Sequence, residues 1–498
     1  NAVLEMPALP GGGTSIVSQS GTMLGTLLSR GAARGLGFAK LVSVGNEADV
    51  GVGELVELLA ADPATKVITL FLETIRDAAR LAAAARAAHA AGKAIVAYKL
   101  GRSALGEAAA LSHTGALAGS DAALDAYFRD CGIVRVDLLE TLLEIAPLLA
   151  QRTPPNLGRA GKVFVVTTTG GGAATVVDRL GLLGVELAAP VMDLTMAGTQ
   201  ATSYAAALEK ALESDCDAVV AAVGSSAQFH PELAVEPIIA CSKSKPIVTF
   251  FTPQADRSLA LAAQAGIAAF RTPEACADAL AAFLSWRSPR EALRLAGPGT
   301  LPKGAFETFA VLGIPVAQWQ LVEAPDFAHR VAYPVALKRL EAHKTEKGGV
   351  LLGIANREEF VRKAAAMGQN SLLVQRMESG LAEAIVGYRD DAVVGPLVLV
   401  GAGGVLAEIL RDSVVRMAPV SEEEAADMIG QVRGFAALRG YRNLPRGDLK
   451  ALARAVSAMS MLALVKGRPV REAEINPLLV KADGVVALDA LVALKEGA

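Results

Sequence analysis

One of the five histidines in this 498-residue chain lies in a segment of small residues that could carry out chemistry. His113 stands in the sequence Ser-His-Thr-Gly-Ala-Leu-Ala-Gly-Ser, residues 112–120, with glycines two and six positions after it. Glycine relaxes the backbone, and the hydroxyls of Ser112, Thr114 and Ser120 can solvate an anion. The pattern indicates a reactive histidine in a flexible segment. The alternative is a surface histidine that only makes hydrogen bonds.

Polar residues follow three predicted strands of the first region where each strand ends. Ser18-Gln19-Ser20-Gly21 opens a helix, Gly45-Asn46 follows the second strand, and Glu73 follows the third. Ligands of parallel sheets bind beyond the carboxyl ends of the strands, and a helix start offers free N–H groups to a phosphoryl group. A carboxylate can hydrogen-bond one imidazole nitrogen and leave the other as the nucleophile. The predicted phosphate-binding residues are Ser18, Ser20, Gly21, Gly45 and Asn46.

Each of these elements has an ordinary structural explanation when it is taken alone. A Ser-x-Ser-Gly turn is typical of a helix cap, and a glutamate at a strand end is typically solvated. Together with His113 they form a consistent set, namely a nucleophile, an orienting carboxylate at Glu73 and a helix N-terminus for a phosphoryl group. The sequence therefore predicts phosphoryl chemistry in the first region.

The last region carries residues suited to nucleotide phosphates. Lys338 closes a short apolar strand, and glycines follow at Gly348 and Gly349. A lysine with a flexible glycine turn can hold phosphates by charge and by backbone donors. Asn476 and, after a short hairpin, Asp489 supply oxygen ligands at adjacent predicted strand ends, as Mg²⁺ prefers. Taken separately, Lys338 is equally explained as a strand-edge charge and Asn476 as part of a turn.

The arrangement of apolar runs predicts an α/β protein. Runs such as Thr14–Val17 and, in a second unit, Lys162–Thr167 alternate with alanine-rich helical stretches, which is typical of βαβ units in a parallel sheet. Pro154 and Pro155 mark a break between the two units. Prolines and glycines from Pro289 to Lys303 predict a linker, and the less regular pattern beyond it predicts an α+β region.

Composition narrows the class of protein. The net charge is −3 and aromatic residues make up 4%, with no basic stripe, so we expect no nucleic acid partner. The most apolar stretch, Val393–Ala407, is short and interrupted by glycines and a proline, so we expect no membrane span. The four cysteines are dispersed and are expected to be reduced in a cytoplasmic protein.

Taken in order, these segments resemble the NDP-forming acyl-CoA synthetases, the superfamily that includes succinyl-CoA synthetase and ADP-forming acetyl-CoA synthetase. The segments that match its ligase domain are Ser18–Gly21, Val44–Asp49, Glu73, Lys99–Ser103 and Ser112–Gly119. Those that match its ATP-grasp module are Tyr333–Lys338, His343–Thr345, Gly348–Val350, Gly401–Glu408 with Asp412, and Glu474–Pro477. The resemblance implies two flavodoxin-like parallel-sheet domains, residues 1–152 and 153–292, followed by an α+β ATP-grasp module, residues 300–498.

The resemblance also implies an activity. An ADP-forming acid–CoA ligase interconverts a carboxylic acid, CoA and ATP with acyl-CoA, ADP and phosphate. In that family an acyl phosphate passes its phosphoryl group to the loop histidine, here His113, which carries it to ADP. By the same resemblance Glu73 would orient His113. His343 would be either a second phosphoryl carrier or a residue that hydrogen-bonds phosphates or caps a turn.

The expected cofactors are ATP or ADP, Mg²⁺ and CoA. The resemblance implies that Lys338, Gly348 and Gly349 hold phosphates and that Asn476 and Asp489 hold the metal. Three further residues complete the expected nucleotide site: Gln375 and Met377 near the adenine, and Glu383 facing the ribose.

The chain departs from the family in two places. Family members carry a CoA-binding domain before the Ser-Gln-Ser-Gly turn, so we expect that domain in a preceding segment or a separate subunit. Thr167–Gly172 also differs from the glycine-proline pattern expected there. We expect a homodimer or higher oligomer. The alternatives are a phosphohistidine phosphotransferase that does not use CoA and a noncatalytic nucleotide-binding subunit.

Overall fold

The computed structural model describes residues 10–103, 105, 120–150, 152–195, 200–241, 245–293, 295–324, 327–340, 349–404 and 412–495. The chain divides into two compact units, Asn1–Glu291 and Ala292–Ala498. The predicted fold class, parallel α/β sheets followed by an α+β region, is confirmed. The predicted domain boundaries remain a prediction.

The first sheet is parallel and has the strand order β2-β1-β3-β4-β5. Its strands are β1 (Gly11–Ser18), β2 (Phe38–Ser43), β3 (Val67–Leu72), β4 (Ala94–Lys99) and β5 (Val134–Arg135). Its helices are α1 (Gly21–Ala32), α2 (Val52–Ala61), α3 (Ala78–Ala90), α4 (Asp121–Cys131), α5 (Leu139–Glu144) and α6 (Ala146–Leu149). All six residues of β3 are buried, as expected of a central strand with both faces covered.

The second sheet is also parallel, with the order β11-β10-β9-β6-β7, and β8 also pairs with β6. Its strands are β6 (Lys162–Thr167), β7 (Glu186–Leu187), β8 (Met192–Asp193), β9 (Ala218–Val223), β10 (Ile247–Phe251) and β11 (Ala269–Phe270). Its helices are α7 (Gly170–Leu182), α8 (Ala201–Glu213), α9 (Ser226–Phe229), α10 (Pro231–Cys241), α11 (Asp256–Gln264) and α12 (Pro273–Ser285).

One hydrophobic core joins the two parallel sheets. Ile16, Phe71 and Val96 of the first sheet and Val165 and Phe250 of the second belong to the same buried cluster. Burying these side chains removes a large apolar area from water, which stabilises both sheets together. The two βαβ units therefore share a core within the first compact unit.

The second unit contains two antiparallel sheets. One has the order β12-β15-β13-β14, and the other has the order β18-β17-β16-β19-β20 with β21 also paired to β19. The strands are β12 (Trp319–Glu323), β13 (Val335–Lys338), β14 (Val350–Ile354), β15 (Ser371–Arg376), β16 (Ala382–Asp391), β17 (Gly395–Ala402), β18 (Ser413–Met417), β19 (Val470–Lys481), β20 (Gly484–Ala487) and β21 (Leu491–Leu494). The helices are α13 (Ala305–Val311), α14 (Arg357–Ala366), α15 (Glu422–Gln431) and α16 (Leu449–Ser460), with 3₁₀ turns at Arg433–Arg439, Tyr441–Asn443 and Met461–Leu464.

One expectation about this unit is wrong. Asn476 was expected at the end of a strand, but it lies inside the twelve-residue strand β19. The register of β19 against β16 shifts between Ala384 and Val386, opposite Asn476 and Pro477. The polar residue and the proline are therefore accommodated by a local irregularity, because proline cannot donate a ladder hydrogen bond.

Candidate active site

The turn after β1 is fixed by hydrogen bonds within the Ser-Gln-Ser sequence. The buried Ser18 hydroxyl donates to the Ser20 carbonyl at 2.7 Å and accepts from the Ser20 N–H at 3.1 Å. The Ser20 hydroxyl then accepts from the Met23 N–H at 3.3 Å and caps α1, which begins at Gly21. The remaining N–H groups of the first turn of α1 have no partner within the helix, and such groups attract anions.

The next strand end lies beside this turn. The β1–β2 register pairs Ser18 with Ser43, and the Val44 N–H donates to the Ser18 carbonyl at 2.9 Å. Gly45 follows with a φ of +59°, a conformation that glycine adopts without strain, and Asn46 is exposed. Gly45 and Asn46 therefore lie at the same edge of the sheet as Ser20.

Glu73 lies at the third strand end and completes this group. The β1–β3 register pairs Ser18 with Phe71, so Glu73 follows the neighbouring strand just beyond the turn. Its side chain is buried, with 7% of the residue exposed. The strand order changes direction between β1 and β3, and ligands of such sheets bind at this switch point. The structure thus brings together Glu73 and the predicted phosphate-binding residues.

Sequence reasoning did not assign a site role to Gln19, which lies at the centre of the group. Its buried side chain accepts hydrogen bonds from the N–H groups of Glu73 at 2.5 Å and Thr74 at 3.0 Å. Its amide nitrogen donates to the Thr74 carbonyl at 3.0 Å and to the Glu47 carboxylate. The other oxygen of Glu47 accepts from the Val52 N–H at 2.8 Å, at the start of α2.

His113 lies outside the described residues, and the structure describes both flanks of its segment. On one side Arg102 forms an ion pair with Asp137 and lies 3.9 Å from a carboxylate oxygen of Asp121. On the other side the Ser120 hydroxyl caps α4 by accepting from the Ala123 N–H at 3.3 Å. These contacts tie the two flanks of the segment to the sheet that carries Glu73.

The second sheet has a turn of the same construction after β6. The Thr167 hydroxyl donates to the Thr169 carbonyl at 2.8 Å and accepts from the Thr169 N–H at 2.9 Å. Thr169 caps α7 by accepting from the Gly172 N–H at 3.4 Å, and the Thr168 hydroxyl accepts from the Gly224 N–H at 3.0 Å. This turn also lies where the strand order changes direction, between β6 and β9.

In the second unit, Lys338 lies at the end of β13 and is 6% exposed. Its ammonium group donates to the Leu488 carbonyl at 2.6 Å. The neighbouring Arg339 N–H donates to the carbonyl of the buried Gly349 at 2.9 Å. The structure therefore brings Lys338 to the residue that precedes Asp489, while Gly348 and His343 lie outside the described residues.

Asn476 and Asp489 face each other across one ladder position. On one side of this position Leu478 pairs with Ala487, and on the other Glu474 pairs with Leu491, with the same register. The Leu488 N–H donates to the Pro477 carbonyl at 3.1 Å between them. Residues 488–490 belong to neither β20 nor β21, but the same register continued through them sets Asn476 opposite Asp489. One Asp489 oxygen accepts from the Ala490 N–H at 2.9 Å.

This pair suits a metal ion that also binds phosphates. Among the described residues, no three His, Cys, Asp or Glu side chains lie close enough together to hold a metal ion by themselves. Mg²⁺ bound with a nucleotide needs only one or two protein oxygen ligands, because phosphates and water complete its shell. Asn476 and Asp489, beside the Lys338 ammonium group, fit this requirement.

The other predicted nucleotide-binding residues lie on two different sheets. Gln375 of β15 pairs with Ala336, and its buried amide nitrogen has no hydrogen-bond partner among the described residues. The Met377 N–H donates to the Pro334 carbonyl at 3.0 Å. Glu383 lies on the neighbouring sheet, on β16, with an exposed side chain. A buried amide donor without a partner is costly, so the Gln375 nitrogen is suited to a ligand acceptor.

Comparisons with known proteins identify the family of each unit. Residues 11–149 match the family described as the succinyl-CoA ligase like flavodoxin domain, and residues 301–494 match an ATP-grasp domain. No helix among the described residues is long and apolar enough to cross a bilayer.

Several relatives match almost the whole chain. A trans-feruloyl-CoA synthase from an unknown prokaryotic organism is 31% identical over 96% of this chain and 76% of its own. The ADP-forming acetate–CoA ligase I of Archaeoglobus fulgidus is 29% identical over all of this chain and 80% of its own. A solved acetyl-CoA synthetase 1 of Ca. Korarchaeum cryptofilum, in complex with phosphate and ADP, is 25% identical with a TM-score of 0.48, over 56% of this chain and 65% of that chain.

The two family models and the two sequence relatives confirm the resemblance that the motifs indicate. The matched segments contain both groups described above, the strand ends around Glu73 and the residues around Lys338. The relatives extend the match through the intervening parallel sheet. The chain belongs to the NDP-forming acyl-CoA synthetase superfamily, with its ligase and ATP-grasp regions fused in one polypeptide.

Proposed function

We propose that this chain catalyses the ADP-forming ligation of a carboxylic acid to CoA through a phosphohistidine at His113. ATP transfers its γ-phosphoryl group to the imidazole and leaves as ADP. The phosphoryl group then passes to the carboxylate oxygen of the acid, which gives an acyl phosphate and restores the imidazole. The CoA thiol attacks the acyl carbon, phosphate leaves, and the thiol proton is released.

One observation carries this proposal. The registers of β1 with β2 and β3 place Ser20, Gly21, Gly45, Asn46 and Glu73 at one edge of one sheet. Phosphoryl transfer requires from a protein mainly positioning and charge neutralisation. A capped helix start supplies N–H donors for the phosphoryl oxygens, and the buried Glu73 supplies an acceptor for an imidazole N–H.

In the second unit the nucleotide would bind beside Lys338. Its ammonium group would pair with phosphate oxygens. The amide nitrogen of Gln375, which has no partner in the described part of the chain, would donate to the adenine. Gly348, Gly349, Met377 and Glu383 would complete the nucleotide site. Asn476 and Asp489 would hold Mg²⁺, which neutralises charge on the phosphates when it is bound. We keep both expected roles of His343, phosphoryl carrier or phosphate ligand, in the proposal.

The remaining parts of the proposal concern partners. The substrates are a small carboxylic acid and CoA, and a CoA-binding domain in a preceding segment or a separate subunit would complete the thiol site. We place the protein in the cytoplasm as a homodimer or higher oligomer. Light scattering coupled to size exclusion would measure the oligomeric state directly.

The phosphohistidine step can be tested without CoA. The chain is incubated with Mg²⁺ and ATP labelled in the γ position, and the protein is assayed for an acid-labile, base-stable phosphoryl group. We expect labelling of the native chain and its loss in His113→Ala, with His230→Ala as the matched control. Equal labelling of native chain and His113→Ala would overturn the assignment, unless the label then disappears in the double variant that also carries His343→Ala.

Thioester formation is tested separately with a panel of carboxylic acids, CoA and ATP. The expected products are acyl-CoA, ADP and phosphate in equal amounts. Failure to form a thioester with every acid, in the presence of the CoA-binding part, would contradict the ligase proposal. Labelling at His113 with no thioester would instead favour a phosphotransferase.

A further inference from the structure

The Gln19 side chain uses its whole hydrogen-bonding capacity within the candidate site. Its oxygen accepts from the N–H groups of Glu73 and Thr74, and its nitrogen donates to the Thr74 carbonyl and to Glu47. The two backbone donors fix which end of the amide carries the oxygen. A primary amide offers two donors and two acceptor positions, and all four are occupied here.

These contacts join three separate strand ends. Gln19 itself follows β1, Glu47 follows β2, and Glu73 and Thr74 follow β3. Through Glu47 the same network reaches the Val52 N–H at the start of α2. The residues that would bind phosphate and orient the histidine are thus held relative to one another by one buried side chain.

Glu73 depends on this arrangement because its backbone N–H is fixed by a side chain rather than by a neighbouring strand. The contact of 2.5 Å joins the backbone nitrogen of the proposed orienting carboxylate to Gln19, and both residues are 7% exposed. A carboxylate orients an imidazole only when its own position is fixed, and small displacements of catalytic groups reduce rates strongly.

We infer that Gln19 is a positioning residue that holds Glu73 and the phosphate-binding turn in register for phosphoryl transfer. The inference rests on the proposed function for the role of Glu73. Gln19 itself does not react, and its effect on the rate passes through Glu73.

The test compares Gln19→Met, of similar size and without hydrogen-bonding groups, with Thr168→Val. Thr168 occupies the corresponding position of the second sheet, where its hydroxyl accepts from the Gly224 N–H. We expect Gln19→Met to lower kcat at least tenfold with less than a twofold change in KM for ATP. Thr168→Val should leave kcat within twofold. Equal kcat in the native chain and a folded Gln19→Met variant would overturn the inference.

A double-mutant cycle separates positioning from general stability. If Gln19 acts through Glu73, then Gln19→Met should change kcat less than twofold when Glu73→Gln is already present, because coupled residues are not additive. If the two changes instead lower kcat by independent factors that multiply in the double variant, Gln19 does not act through Glu73, and the inference is contradicted.

Two further measurements apply if Gln19→Met does not fold or if no thioester forms. If Gln19→Met does not fold, the exchanged pair Gln19→Glu with Glu47→Gln keeps the acceptors for the Glu73 and Thr74 N–H groups. It loses the donor to the Thr74 carbonyl, so its kcat should lie within tenfold of that of Glu47→Gln alone, and a larger loss in the folded exchanged variant would overturn the inference. If the native chain forms no thioester with any acid in the presence of the CoA-binding part, the ligase proposal fails, and inorganic phosphate binding decides instead. We then expect Gln19→Met to bind phosphate at least tenfold more weakly than the native chain, and Gln19→Leu replaces it if Gln19→Met does not fold. Thr168→Val should bind phosphate as the native chain does. Unchanged phosphate binding in the Gln19 variant, or no detectable binding by the native chain, overturns the inference.

Discussion

The two parallel sheets of the first unit carry the same turn at the same place, but only in the first sheet does a glutamate follow the strand beside that turn. Ser18 and Ser20 make the same pair of hydrogen bonds after β1 as Thr167 and Thr169 make after β6. The middle residue of each turn also makes the same backbone hydrogen bond. The Gln19 N–H donates to the Phe71 carbonyl, and the Thr168 N–H donates to the Ala222 carbonyl, both at 3.1 Å.

The two sheets differ in the residue at the end of the neighbouring strand. Glu73 comes after β3, whereas Gly224 occupies the corresponding position after β9 and has no side chain. The N–H group of Glu73 donates to the side chain of Gln19 in the first sheet, and the N–H group of Gly224 donates to the shorter side chain of Thr168 in the second. The shared hydrogen bonds belong to the fold, and the carboxylate with its amide partner distinguishes the candidate site.

The test with the largest expected effect removes the carboxylate of Glu73. Glu73→Gln keeps the size of the side chain and removes the negative charge that would orient and stabilise an imidazole. We expect kcat for thioester formation to fall by roughly 10²–10⁴-fold, because a carboxylate that orients a catalytic histidine can contribute about 10⁴-fold. The matched change Gly224→Ala in the second sheet should leave kcat unchanged within about threefold. A comparable loss in both variants would mean that the two turns have equivalent roles.

A smaller effect is expected from removing the helix caps. Ser20→Ala and Thr169→Ala each delete the hydroxyl that accepts from the first turn of α1 or α7. Each should lower the free energy of unfolding by about 1 kcal/mol, measured by denaturant titration. Ser20→Ala alone should also lower kcat about 10-fold, since a hydrogen bond to a charged group is worth about 1.5–3 kcal/mol. Reduced activity in Thr169→Ala at the same stability would contradict this distinction.

The sequence predicted the elements whose signals are local. The strand β6 has the predicted ends, Lys162 and Thr167, because its interior is a continuous run of buried apolar residues. The turn after β1 was identified because its serines cap a helix only a few residues away. These features depend on neighbouring residues, so a single sequence contains them.

Features that depend on distant partners were not predictable in this way. The side-chain partners of Gln19 lie 28 to 55 residues away, so the sequence shows Gln19 only as part of a turn. The twelve-residue strand β19 was missed because Asn476 and Pro477 in its middle are typical turn residues. Its two halves pair with different strands, β20 and β21, and that pairing holds the irregular position in the sheet.

The smallest expected effect on activity concerns the contact that joins the two sheets. Asp278 of α12, from the second half of the unit, accepts from the N–H groups of Asp137 and Leu138 at 3.1–3.2 Å, in the turn that precedes α5 of the first half. Asp278→Ala should lower the free energy of unfolding by about 1–3 kcal/mol, because buried donors lose their acceptor. Asp278→Asn retains an acceptor oxygen and should cost less. Neither change should alter kcat, since Asp278 lies outside the Glu73 group.

The contribution of Asp278 to the free energy of unfolding changes with pH in a definite direction. Burial raises the pKa of Asp278 above its ordinary value of 3.8, while backbone donors from Leu138 and Asp137 oppose the shift. A carboxyl that holds its proton more tightly in the folded state loses stability as pH rises from the unfolded pKa through the folded one. The native chain should therefore lose stability relative to Asp278→Asn as pH rises above 3.8, measured by thermal denaturation at a series of pH values. A difference that stays constant with pH would show that the two sheets are joined without a titrating contact at Asp278.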